Sequence, residues 1–131
     1  YLRLVDDARV TRRGRAYFFA AAARAMREVL IDAARRRKAK KRGGGAPLVS
    51  IDWQDERVDA YAAEIIDLDR ALEDLGRSNP RHAQVVECRF FGGMSVEETA
   101  VALDVSTRTI KADWALARAW LYQVLDKPEK E

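Results

Sequence analysis

The chain has 131 residues with 24 Lys/Arg, 21 Asp/Glu, one His and one Cys, and a formal net charge of +3. One cysteine excludes an internal disulfide framework, and one His with one Cys is too few for a metal site or a nucleophile–base pair. The apolar run at Tyr17 to Ala23 is far short of a membrane span.

No secretory signal is visible, no membrane partner is expected, and the cytoplasm is the default location. The chain starts at Tyr1, which is read as a fragment of a longer protein or a processed chain. Alanine and leucine are common and prolines few, so the expected fold class is all-α. The small net charge hides an asymmetry. Residues 1–45 hold 14 Lys/Arg against 4 Asp/Glu, whereas residues 46–131 hold 10 against 17. A polyanion partner is therefore expected for the first third, and any nucleic-acid contact by the rest must be local.

Leu2, Leu4 and Val5 read as the end of an apolar helix, and Arg9 to Arg15, with Gly14 inside, as a polar connector. A long helix is predicted from Ala16 to about Lys41, with Phe19, Ala22, Met26, Val29, Leu30 and Ala33 marking its apolar stripe. Its end, Arg35-Arg36-Arg37-Lys38-Ala39-Lys40-Lys41-Arg42, carries seven basic residues in eight; the charge wraps all faces, so it is not merely the solvated side of a packed helix, and contact with phosphates is expected over a disordered solubilising tail. Gly43-Gly44-Gly45 and Pro47 stop it. Residues 43–58 read as a linker whose apolar islands Leu48, Val49, Ile51 and Trp53 dock on a neighbour.

The next helix is expected near Val58 to Leu75, with Ile65, Leu68, Leu72 and Leu75 inward and Gly76 as its stop. Asn79-Pro80 starts another, carrying Ala83, Val86 and Phe90 and halting at Gly92-Gly93. His82 in its first turn is assigned a surface or partner-facing role, and Cys88 a small core residue. Ser95 and Glu98 form a capping box, with Val96, Ala100 and Leu103 inward. After Val105, which plugs the turn, Ser106 caps a last helix whose stripe is Ile110, Trp114, Ala117, Leu121 and Val124.

Residues 95–121 thus read as a helix-turn-helix, whose second helix is built to lie in a DNA major groove. Thr107, Arg108, Thr109, Lys111, Ala112, Ala115 and Arg118 fall on or near its outward face. Early residues of such a helix reach base edges while hydroxyls and basic groups hold phosphates, and Ser106 to Thr109 with Lys111 have the types for it. No residue pattern points to catalysis, a cofactor or a metal.

At these residues the chain resembles an extracytoplasmic-function (ECF) sigma factor of the sigma-70 family. Ala25 to Arg37 resembles the end of region two, the helix that meets the minus-ten promoter element. Ala71 to Leu121, including Arg89-Phe-Phe-Gly-Gly-Met-Ser95, resembles region four, and Asp113-Trp114 with Ala119-Trp120-Leu121 resembles one subgroup. The resemblance implies a partial region two at 1–42, the linker at 43–58, and a four-helix region four at 59–126. The implied partners are RNA polymerase core and double-stranded promoter DNA.

Region four would read the minus-thirty-five element. Lys111, Ala112, Ala115 and Leu116 fall at base-facing positions by this resemblance, and Arg118 at a phosphate position. Arg24, Arg27 and Arg35 to Arg37 would approach the minus-ten region, with Lys38, Lys40, Lys41 and Arg42 adding phosphate contacts. Ala112 and Ala115 are short where relatives place longer polar groups, and Glu28 stands where an Asn is common. Region two begins part-way, so the Phe18, Phe19, Met26 and Leu30 stripe is expected to be covered by the region-four helices or by a second copy in a homodimer. Two other readings are a stand-alone helix-turn-helix regulator and a sigma-like fragment that acts mainly through an anti-sigma protein.

Overall fold

A computed structural model describes residues 8–43 and 56–125, and among these the chain is all-α. The helices are α1 (Ala8–Gly43), α2 (Glu56–Ser78), α3 (Pro80–Val86), α4 (Val96–Leu103) and α5 (Thr107–Leu125), with a π-helical turn at Glu87–Phe91. The expected apolar segment at Leu2–Val5 and the docking islands Leu48, Val49, Ile51 and Trp53 lie outside the described residues.

Helix α1 runs unbroken through Arg9 to Arg15, so no connector interrupts it. Gly14 costs about 1 kcal/mol relative to alanine in a helix interior, too little to break a helix rich in Ala and Arg. The buried face of α1 also differs from the expected stripe. Ala16, Ala23, Ile31 and Ala34 face the other helices, whereas Phe18, Met26, Val29 and Leu30 are 41–67% exposed. The helices of the second half therefore do not cover the large apolar stripe. Close approach decides the phase: a β-carbon on Gly92 would sit 2.7 Å from the Ala23 β-carbon, so only small side chains fit at this crossing.

Leu68, Ala71, Leu72 and Leu75 of α2 meet Ala83 and Val86 of α3, Phe91, and Ala117 and Leu121 of α5 in one core. A second, smaller core joins Val85, Ala100 and Ile110, edged by Val96, Leu103 and Val105. Trp114 packs against both. Asn79 precedes Pro80 at the start of α3 as expected, although the Asn79 side chain makes no capping bond.

The π-helical turn changes the register. The Gly92 amide donates to the Glu87 carbonyl at 3.2 Å, and the Met94 amide to the Cys88 carbonyl at 3.1 Å. Each extra residue in a turn rotates the later side chains by about 100°. Phe91 rather than Phe90 therefore enters the core, while Phe90 is exposed and meets Phe91 edge-to-face at 5.0 Å. Gly93 then takes φ +59, the left-handed region that suits glycine.

The capping box forms as expected. The Glu98 amide donates to Ser95 Oγ at 3.0 Å, and the Ser95 amide to Glu98 Oε1 at 2.9 Å. Asp104 ends α4 in the left-handed region (φ 60°), a conformation Asp tolerates better than most side chains. Val105 and Ser106 complete the turn, and the Thr109 amide donates to Ser106 Oγ at 3.1 Å. At the far end of α5, Val124 is exposed rather than part of the stripe.

Candidate nucleic-acid interface

Helix α5 is divided lengthwise by its sequence. Ile110, Asp113, Ala117 and Leu121 are buried at spacings of three and four, which puts Lys111, Ala112, Ala115 and Arg118 on the opposite face. Ser106, Thr107, Arg108, Lys111, Ala112, Ala115, Leu116 and Arg118 are all exposed, and Thr109 is half-buried beside Ser106. The turn thus presents two hydroxyls and two basic side chains together, followed by a shallow stretch at Ala112 and Ala115. Such a surface offers donors to phosphates and base edges, and lets a groove approach the helix closely at the alanines.

The buried side of α5 contains an acid that its periodicity alone does not explain. Asp113 accepts from Arg81 Nε at 2.6 Å and Nη2 at 3.2 Å, and His82 Nε2 lies 3.1 Å from its Oδ1. The hydrogen bonds from Arg81 hold the Asp113 carboxyl below the usual carboxylate range, against the opposing effect of burial. His82 is therefore largely buried against α5 rather than a surface or polymerase-facing group. A planar fork on a carboxylate fixes both distance and angle, so Arg81 and Asp113 set the rotation of α5 on α3.

Trp114 is flanked by the guanidinium of Arg89, 5.2 Å from its ring centroid, and that of Arg118, 5.6 Å away. Arg89 Nη1 also donates to the Met94 carbonyl at 2.7 Å, closing the approach segment on itself just before the helix-turn-helix. Sequence reasoning missed Arg81, His82, Asp113 and Arg89 as positioning groups. One signal was present: Asp113 occupies a core-phase position between Ile110 and Ala117, where a carboxylate needs a partner.

The basic helix is less open than its composition suggests. Arg27 Nε donates to Asp69 Oδ1 at 2.8 Å and its Nη1 to Glu87 Oε2 at 3.0 Å, with both acids buried. Burial works against the Arg27 charge, but the two carboxylates outweigh it and raise its pKa. Arg35 reaches Asp69 Oδ2 at 3.5 Å, and Arg37 is half-buried on Asp59. Arg24, Arg36, Lys38 and Lys40 are exposed, Arg24 facing Glu28 at 3.8 Å. The side chains of Lys41 and Arg42 lie outside the described residues. Cys88 is buried as expected, its thiol pushed up to about 11 by burial and by Glu87.

A helix-turn-helix with this capped turn, preceded by the Arg89–Met94 approach and joined to a basic helix, is matched by the family model for ECF sigma factors over residues 1–127. The chain belongs to the ECF sigma factor family. No curated protein and no solved structure matches it. Membership ties this sigma factor to promoter-directed transcription, with RNA polymerase core and promoter DNA as the partners the family implies. Among the described residues of the sigma factor, no helix is long and apolar enough to cross a membrane. No group of three or more His, Cys, Asp or Glu among them is arranged to hold a metal ion.

Proposed function

We propose that this sigma factor directs polymerase core to promoters in the cytoplasm by two separate DNA contacts. In this reading residues 59–126 act as region four, and α5 lies in the major groove of the minus-thirty-five element. Ser106, Thr107, Arg108, Thr109, Lys111, Ala112, Ala115 and Arg118 form the contact face. The basic end of α1, from Arg24 to Arg42, approaches the minus-ten element and its phosphates as the end of region two.

The observation that carries this reading is the division of α5. Its inner side is fixed by Ile110, Ala117, Leu121 and the Arg81–Asp113 fork, while the polar and basic side chains Ser106 to Lys111 converge on one exposed surface. With Ala112 and Ala115 bare, Lys111 and Arg108 carry most of the side-chain reach.

Lys111→Ala tests the assignment. If Lys111 meets a base edge, the substitution costs about 1–3 kcal/mol of binding and relaxes the preference at one position. Binding selections from random duplexes, run with polymerase core and compared between wild type and variant, read both quantities. An equal loss on every duplex would make Lys111 a phosphate contact, and no loss from either Lys111→Ala or Arg108→Ala would remove α5 from the interface.

A further inference from the structure

The outward face of α5 changes chemistry along its length. At the start, Ser106 Oγ donates to Thr109 Oγ1 and accepts from the Thr109 amide, so the turn hydroxyls engage each other, and Arg108 and Lys111 are exposed beside them. From Ala112 to Ala119 the exposed side chains are Ala112, Ala115, Leu116, Arg118 and Ala119, and all but Arg118 lack a hydrogen-bonding atom. Arg118 is drawn aside. Its guanidinium lies 5.6 Å from the ring centroid of Trp114, which packs on both cores. Leu116, by contrast, is a large aliphatic group that is 60% exposed and belongs to neither core.

The helical phase keeps these groups apart. At about 100° per residue, Ala112, Leu116 and Ala119 fall within about 60° of one another, opposite the buried Ile110, Ala117 and Leu121. Arg118 lies about 100° or more from them on the same count. The middle of the face that meets the groove is therefore apolar, with its cations at one end and on one flank.

Such a face cannot read a base by hydrogen bonding. Against most base edges it would strip water from donors and acceptors and return no partner, which is unfavourable. The C5-methyl group of thymine is the apolar feature of the major-groove edge, and it suits aliphatic side chains. Ala112 and Leu116 are about 6 Å apart along the helix at about 1.5 Å per residue. With base pairs stacked about 3.4 Å apart, a helix following the groove sets them against base pairs about two steps apart.

We propose that Ala112 and Leu116 make α5 a reader of thymine methyl groups, so that this sigma factor selects a minus-thirty-five element with thymines about two base pairs apart, next to the positions met by Arg108 and Lys111. The proposal rests on the reading of α5 as the helix in that groove and names what its apolar stretch recognises.

The test uses the full chain with polymerase core and the labelled duplex that selection from random sequence recovers, with affinity measured by fluorescence anisotropy. Each thymine of the shared element is replaced singly by deoxyuridine, which removes the C5-methyl and keeps every hydrogen-bonding group. Two of these replacements should each weaken binding about fourfold, the value for one buried methyl-sized group, and together about sixteenfold. Leu116→Ala should abolish the effect of deoxyuridine at one of the two positions, and Ala112→Gly at the other. If no replacement changes the affinity, or if both variants keep the full effect at both positions, the methyl reading is overturned.

Arg108→Ala with Lys111→Ala separates this from the reading beneath it. If that pair leaves binding unchanged, α5 is outside the interface and both readings fall. If the pair weakens binding while every deoxyuridine duplex binds as tightly as its thymine parent, only the methyl reading falls.

Discussion

Asp113 is the residue that fixes the rotation of α5. It sits at a core-phase position of α5, yet its charge is kept by the Arg81 fork and by His82 alongside. Because its folded-state pKa is depressed, its contribution to stability is complete above the unfolded value of about 3.9 and is lost as pH falls through the lower folded value. Asp113→Asn should therefore lower the melting midpoint at neutral pH, and the gap to wild type should close as the medium is acidified below about pH 4. Melting curves recorded across that range check this, and a gap of constant size at every pH would mean the carboxylate charge plays no part. The sequence shows Asp113 beside Trp114 without showing its partners, because Arg81 is brought to it only by the packing of α3 on α5.

At the scale of elements, the legible parts are those whose signals are local. The capping box, the Ser106 start of α5 and the Asn79-Pro80 boundary each rest on residues within a few positions of one another, and the structure forms each element where those residues stand. Two features depend on contacts between distant segments and were not legible. The phase of α1 is set by how closely it approaches Gly92, which selects Ala23 over Phe19 or Met26 although the larger groups carry more apolar surface. The π-helical turn shifts the register by inserting backbone, so Phe91 replaces Phe90 in the core without any change in composition.

Gly92→Ala tests the close approach. The added carbon would lie 2.7 Å from the Ala23 β-carbon and 2.8 Å from the Cys88 carbonyl oxygen. Overpacking of this kind costs about 1–3 kcal/mol. A urea midpoint unchanged by the substitution would show that α1 does not hold that position in solution.

At the scale of the whole molecule, the sequence shows the polarity of charge and leaves its use open. Its basic first third points to DNA, and the structure pairs Arg27, Arg35 and Arg37 of it with acids of α2 and the π-helical turn. Both outcomes draw on one property, an arginine-rich helix able to bind carboxylate or phosphate, and the winner is set by which anion is near. The outward face of α5 is legible because burial of Ile110, Ala117 and Leu121 fixes where Lys111 and Arg118 must point.

We propose that the chain places polymerase on promoters through α5. Transcription of genomic fragments by polymerase core, with and without the intact protein, tests it most directly when transcript starts are mapped. Protein-dependent starts should share an upstream element in the minus-thirty-five region, and Lys111→Ala should use that element more weakly. The absence of protein-dependent starts, or starts that share no such element, would contradict it.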